Sequence, residues 1–438
     1  MLNQSHLLQR DSKHVWHPAS LLKSDPAPLV IEKARGSYLY TNEGPLIDAI
    51  SSWWCKSLGH AHPAVIDAIQ TQLGAFEHVI GANTTHPPMV ALAEMLHQIS
   101  GLQHVFFASD GSSAVEIALK MARQAMQLRG LSHRTGFIAL QGGYHGETLG
   151  ALSVGDLSQY KQAFKTTPLD CHWISPKPYV SGMNDPLWLN AYDPWSDVLA
   201  QLNLLKDTTC AIIVEPLILG ASGMHCYSAD FLKRLHRWAK EHDVYFIADE
   251  IMTGIGRTGT WLACDHAQIK PDLVCLSKGL TSGTMPLSTV LVDHPIFELF
   301  EQAPASLSFL HSHTYSGHAL GVVAALTTLQ TIQQEHLFSY SKMLSTHMLN
   351  VFQSIAQKTN AITNIRSLGV MVAGDVCHQN AGIMQKITEH ARANGALLRP
   401  IGNTLYWLPP LNTTLETIDQ LGDITLKSII QALNQGVS

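Results

Sequence analysis

The sequence predicts an α/β protein: a largely parallel sheet covered on both faces, followed by a smaller α+β domain. Three observations carry this. Short continuous apolar runs, such as 244–248 and 273–276, alternate with stretches of helical periodicity, as strands buried on both faces require. Several runs end in charge or in a glycine turn, at Glu215, at Asp249 and just before Lys278. Near Ser312 the composition changes, and helices then precede short strands.

The elements follow in order. Residues 1 to about 36 are mixed, with Pro18, Pro26 and Pro28 breaking any long element. Tyr38–Tyr40, a turn at Asn42–Pro45, and Leu46–Ile50 read as a hairpin, and 63–73 and 92–99 as helices. A strand at 105–108 leads through the turn 109–112 into a helix over 113–128. Ser113 and Glu116 form a capping box there, and Gly130 is the stop. Strands follow at 137–140 and 211–216, with a polar, proline-containing surface excursion over 183–195 between them. An amphipathic helix spans 229–241, and further strands are expected at 244–249, 273–276 and 288–292. Beyond Ser312, helices at 319–333, about 339–357 and 415–431 frame short strands at 369–374, 397–399 and 405–408, with one more helix among those strands. This divides the chain into an N-terminal segment (1–60) packing with the small domain, a large domain (61–312) and a C-terminal part (313–438).

At 438 residues there is chain enough for a large core and more than one domain. Hydrophobic residues make up 46% and charged residues 14%, the balance of a globular protein. A net charge of −6 gives no basic footprint for nucleic acid, and no apolar run reaches membrane-spanning length. The polar start shows no signal peptide. Seven cysteines with no CxxC suit free thiols in a reducing compartment, so a cytoplasmic location is expected. The pairs His60/His62 and His311/His313 lack the further ligands a metal site needs, and none is expected.

Ligands of open α/β sheets sit beyond the carboxyl ends of the strands, so Asp249 and Lys278 can meet at one site. A lone lysine there is ordinarily a solvated strand end. Paired with an acid, it suggests pyridoxal 5'-phosphate: the amine forms a Schiff base and the acid partners the pyridinium nitrogen. Gly111-Ser112, between a strand and a helix start, is either an ordinary helix cap or a phosphate site. In Gly142–Gly146 an aromatic ring can lie on a planar cofactor, and the sequence does not choose between Tyr144 and His145. Glu215 is a supporting acid or a solvated strand end. Of the adjacent Trp53 and Trp54, alternation along a strand sends only one toward a given cavity, and core packing is the default for both. Arg399 is a surface arginine or a fork for a substrate carboxylate.

The run Phe246–Gly259, with Pro271-Asp272 and Ser277-Lys278-Gly279, resembles the class III aminotransferases, which use pyridoxal phosphate. Further marks lie at 15–18, 51–54, 143–148, 280–288, 399–402 and 406–410, so the likeness covers nearly the whole chain. Within the family they resemble the members of biotin synthesis, which transfer the amino group of S-adenosylmethionine to 8-amino-7-oxononanoate in a ping-pong reaction through pyridoxamine phosphate. The alternative is another member acting on ω-amines such as ornithine, 4-aminobutyrate or diamines.

The resemblance implies a fold-type I transferase with a seven-stranded sheet, working as a homodimer with shared active sites. It implies Lys278 as catalytic residue and cofactor anchor. It also implies cofactor contacts from Gly111, Ser112, Tyr144, Asp249, His313 and Thr314, the last reaching in from the second subunit. Trp53, Tyr144, Lys278, Ser312, Arg399 and Tyr406 border the substrate, Arg399 taking the oxononanoate carboxylate. Four positions depart from the family pattern: Ala19 where a tyrosine is usual, Ser312 and His313 before Thr314 where His-Gly-Pro-Thr is common, and Glu147 where Asp is usual.

Overall fold

The computed structural model describes residues 4–20, 26–164, 168–176, 178–378 and 382–434. Its centre is a seven-stranded sheet in the spatial order His104–Ala108, Ser288–Val292, Leu273–Leu276, Tyr245–Asp249, Thr209–Val214, Gly136–Leu140, Cys171–Ile174. Ser288–Val292 runs antiparallel to both its neighbours, and every other adjacent pair is parallel. Buried residues fill the inner strands from end to end. Alternation sends successive side chains to opposite faces, and no exposed position intervenes because both faces are covered. Ala211, Ile213, Tyr245 and Ile247 point into one core with the helix Gly111–Leu128. Ile212, Val214 and Phe246 point into the opposite core, against the helix Ala229–Glu241. Each large apolar side chain so enclosed contributes about 1.5–3 kcal/mol.

Three smaller sheets accompany this one, the shortest an antiparallel set of Tyr179–Val180, His225–Tyr227 and Ile218–Leu219. Ile31–Arg35, Tyr38–Thr41 and Gly44–Asp48 form an antiparallel meander, extended in parallel by Ala396–Leu397 from far along the chain. Ile362–Ser367, Val372–Val376 and Thr404–Trp407 form an antiparallel sheet, packed in one core with the helices Ala319–Gln334, Leu337–Thr359, Ile383–Asn394 and Leu415–Asn434.

Several expectations need correction. Within the described part of 1–36 there is a helix, Gln4–His14, and the strand Ile31–Arg35. That helix buries no residue, so it left no apolar stripe to read. The helix expected at 92–99 runs over Pro87–Ser100, because the His86 ring accepts the Met89 N–H and Pro87 starts the first turn. Ser113 and Glu116 do not form a capping box. Asp110 is the cap, its Oδ1 accepting the Ser113 N–H at 3.0 Å, while Glu116 accepts the backbone N–H groups of Gly150 and Ala151. The excursion over 183–195 is not wholly at the surface: Trp188 and Ala191 are buried, and the helix Tyr192–Leu205 begins within it. The strand Ile362–Ser367 was not anticipated. A register shift between Thr363 and Arg366, with Asn364 at φ +48°, breaks the alternation that marks a strand.

Candidate active site

The carboxyl ends of the sheet strands converge on one cavity of about 210 Å³. Asp249 closes the strand Tyr245–Asp249, and Glu215 follows Thr209–Val214 directly. Lys278 follows Leu273–Leu276 by two residues and opens a short 3₁₀ turn with a positive φ of +40°. Asp249 pairs in register with Cys275 on the neighbouring parallel strand, which sets it close to the chain's turn into Lys278. Gly111 and Ser112 begin the helix Gly111–Leu128, and Tyr144 to Gly146 follow the strand Gly136–Leu140.

The charges are held by specific bonds. Asp249 is buried; its Oδ2 lies 2.7 Å from His145 Nδ1 and its Oδ1 accepts the Ile251 N–H at 3.2 Å. Glu215 is buried and takes two backbone N–H groups, Tyr144 on Oε1 at 2.9 Å and Gly220 on Oε2 at 3.1 Å. Burial pushes its carboxyl up to about 7, with Asp249 adding to the rise and His145 and the two N–H groups opposing it. Lys278 is drawn below the ordinary lysine value by loss of solvent, against the pull of Asp249 and Glu215. Its Nζ stands 4.7 Å from the centroid of the Trp54 ring and has no hydrogen-bond partner among the described residues. The Tyr144 hydroxyl donates to Glu147 Oε1 at 2.9 Å, and burial raises its pKa.

A second cavity of about 580 Å³ adjoins the first, and Trp54 and Tyr144 line both. Its wall includes Ala19, Trp53, Tyr160, Ser222, Arg399 and Tyr406. The Trp pair reaches it by a route the sequence does not suggest. Ser51, Ser52, Trp53 and Trp54 all have positive φ, from +44° to +75°, so this is a tight left-handed turn and not a strand. Asp48 pins it, accepting the Ser52 N–H at 3.0 Å and the Ser52 hydroxyl at 2.7 Å. Trp54 is buried and donates through Nε1 to the Tyr406 hydroxyl at 2.9 Å. Trp53 stays exposed, with the Arg399 guanidinium 4.4 Å from its ring centroid. Arg399 also donates to the Ala19 carbonyl at 3.4 Å. Burial pushes the Tyr406 hydroxyl up to about 12.

The structure thus brings Gly111, Ser112, Tyr144, Asp249 and Lys278 to the inner cavity, and Trp53, Tyr144, Arg399 and Tyr406 to the outer one. Ser312, His313 and Thr314 line neither. They sit in a loop where His313 Nε2 lies 3.1 Å from His311 Nε2, and Ser312 and Thr314 are exposed. Sequence reasoning placed Trp54 in the core, where it is, and held no view on Glu215; both also line the inner cavity. It named His145 only as a possible stacking ring, whereas the ring is buried behind Asp249. Among the described residues no three His, Cys, Asp or Glu side chains gather as metal ligands.

Pyridoxal phosphate fits this inner cavity. At the helix start a Cβ on Gly111 would come within 3.0 Å of Ile251 Cδ1, and one on Gly146 would run into the Ser112 side chain, so backbone lies bare where a phosphate needs close approach. A buried carboxylate and an unpartnered amine line the same small space.

Comparison with known proteins agrees. The family model described as aminotransferase class-III matches residues 21–430. The chain is 36% identical over 428 residues to the adenosylmethionine-8-amino-7-oxononanoate aminotransferase of Helicobacter pylori, covering 95% of each chain. It superposes on the crystal structure of the enzyme of that name from Methanocaldococcus jannaschii with a TM-score of 0.91 at 30% identity, covering 98% of this chain and 99% of that one. An amine transaminase from an uncultivated Pseudomonas species, in its PLP-bound form, gives a TM-score of 0.88 at 30% identity, covering 96% and 99%.

Proposed function

The chain belongs to the class III aminotransferases, and from that membership we propose that it transfers the amino group of S-adenosylmethionine to 8-amino-7-oxononanoate, giving 7,8-diaminononanoate for biotin synthesis. Relatives bearing that name align over almost their whole length, and the same type of enzyme supplies the matching crystal structure. The observation that carries the reading is the juxtaposition of Lys278 and Asp249 on one small cavity, which shares Trp54 and Tyr144 with a larger cavity bearing Arg399.

Bound pyridoxal phosphate supplies an electron sink for the pair released when a substrate Cα–H bond breaks. The residues of this chain do the rest. Asp249, bonded to His145 and Ile251, holds the charge of the ring nitrogen. Backbone N–H groups at Gly111 and Ser112 receive the phosphate at a helix N-terminus. Lys278 is the anchor, and its amine is the base and acid that moves the proton within the site. Its lowered pKa favours the neutral amine that this base must be. Tyr144 and Trp54 bound the ring, keeping water out. Arg399, with Trp53 beneath it, takes the acceptor's carboxylate, and Tyr406 fixes Trp54. The outer cavity, about 580 Å³, has room for a donor carrying a nucleoside. Ala19 offers Arg399 its carbonyl, so the backbone holds Arg399 from the side where family members carry a tyrosine.

We take the enzyme to be a homodimer whose second subunit completes each site with Thr314. Thr314 lies exposed beside Leu310 and Tyr315, themselves exposed, and outside its own chain's cavities. No helix among the described residues is long and apolar enough to cross a membrane, and all seven cysteines are free, which supports placing it in the reducing cytoplasm.

A single-turnover experiment tests the reaction. S-adenosylmethionine added to the yellow holoenzyme should bleach its visible band, and 8-amino-7-oxononanoate should restore it. Bleaching by ornithine with none by adenosylmethionine would overturn the assignment.

A further inference from the structure

The ring behind Asp249 has been given no work. His145 is 2% exposed, and its Nδ1 lies 2.7 Å from a carboxylate oxygen that can only accept, so the proton of this bond resides on Nδ1. The other nitrogen, Nε2, is buried and has no partner among the described residues. An imidazole placed only to fill space would not be chosen with one nitrogen orphaned, since a buried unpaired polar atom destabilises. Several ionisable groups share its cavity: Asp249 on its Nδ1 side, with Glu215, Lys278 and Tyr144 on the same lining. Tyr144 and His145 are adjacent, and Glu215 accepts the N–H of Tyr144, so the loop that carries His145 is tied to the floor of the cavity.

From this we infer that His145 is a positioning residue for Asp249: through Nδ1 it fixes one carboxylate oxygen and keeps the acid turned toward the cofactor's ring nitrogen. The Ile251 N–H holds the other oxygen, so the carboxylate is gripped at both corners from behind. A freely rotating carboxylate would lose part of its attraction for the ring nitrogen to reorientation, whereas a clamped one is set before the cofactor arrives. The clamp rests on the reading of Asp249 as the ring-nitrogen partner given above.

Two polar substitutions separate the contact from mere filling. In His145→Asn the amide nitrogen stands near the place of Nδ1 and can still donate to Asp249. In His145→Gln it stands near the place of Nε2 and cannot. Both side chains are polar and of similar bulk, and melting curves verify folding. Apoprotein of the wild type and each variant is titrated with pyridoxal phosphate, and the absorbance of the bound cofactor is followed against pH. The asparagine variant is expected to bind within about 3-fold of wild type and to keep the wild-type spectrum. The glutamine variant is expected to bind roughly 10- to 100-fold more weakly, as loss of a hydrogen bond to a charged group implies, with a shifted absorbance titration and a larger loss in kcat than in KM. Equal behaviour of the two variants, in either direction, overturns the inference. Failure of the wild type itself to bind pyridoxal phosphate would instead overturn the functional reading on which it rests.

Discussion

Lys278 has one role that nothing nearby can take over, since it is the one lysine or arginine that lines the inner cavity among the described residues. Lys278→Ala should therefore fold and still bind pyridoxal phosphate non-covalently. It should lose the borohydride-reducible adduct and about 10²–10⁴-fold or more in transamination rate, read by absorbance and product formation. Tyr406→Phe tests a quieter dependence. It leaves the Trp54 N–H buried without an acceptor, which costs about 1–3 kcal/mol in urea unfolding. Glu250 supplies a pH signature. It is buried, held by the Thr253 hydroxyl at 2.6 Å and the Cys264 N–H at 2.9 Å, yet burial outweighs both and moves its carboxyl from 4.5 to about 7. The folded state therefore binds this proton more tightly than the unfolded chain. That stability is fully present below about pH 4.5 and is lost as the pH rises toward 7. Glu250→Gln does not titrate, so relative to wild type it should gain about 3 kcal/mol between pH 4.5 and 8 in denaturant melts. A constant difference across that range would contradict the assignment.

The left-handed turn Ser51–Trp54 is the element whose geometry most directly shapes the site. Ser51 sits at φ +50° with a buried hydroxyl that has no partner among the described residues. Ser51→Gly relieves both defects at the expense of a freer unfolded chain, and should raise the unfolding free energy by about 1 kcal/mol; Ser51→Val should lower it by more. This turn also shows where reading a sequence stops. Strands such as Ser288–Val292 and helices such as Ala229–Glu241 and Pro63–Leu73 were legible to the residue, because burial on a regular element imprints a period. Asp249 and Lys278 were legible because they end such strands. Four residues with φ positive imprint no period, so the strand expected at Trp53-Trp54 was wrong, and Trp54, buried in the core as expected, gave no sign that it also lines the cavity. Asp110 displaced Ser113 as helix cap because either can start that helix, and only tertiary contacts, with Glu116 committed to Gly150 and Ala151, decide. His145 carries no spacing signal at all; its bond to Asp249 spans 104 residues.

At the scale of the whole molecule, the loop 310–315 is the surface on which the proposed dimer rests. Leu310 is 89% exposed and Tyr315 58%, large side chains that this chain leaves open to solvent. Sedimentation should find a species of twice the 48.0 kDa chain mass, and Thr314→Ala should weaken pyridoxal phosphate binding without lowering the melting temperature of the apoprotein. A monomer active on both substrates would refute the shared site. The pairing of Gly44–Asp48 with Ala396–Leu397 has a different reach. The ribosome releases the N-terminal hairpin hundreds of residues before the strip that must seal its flank, and Asp48, which secures the tryptophan turn, lies on that flank. The nascent polypeptide therefore spends most of its own synthesis with an open strand margin, and a chain ended before Ala396, which lacks the sealing strip, should aggregate and not merely work more weakly.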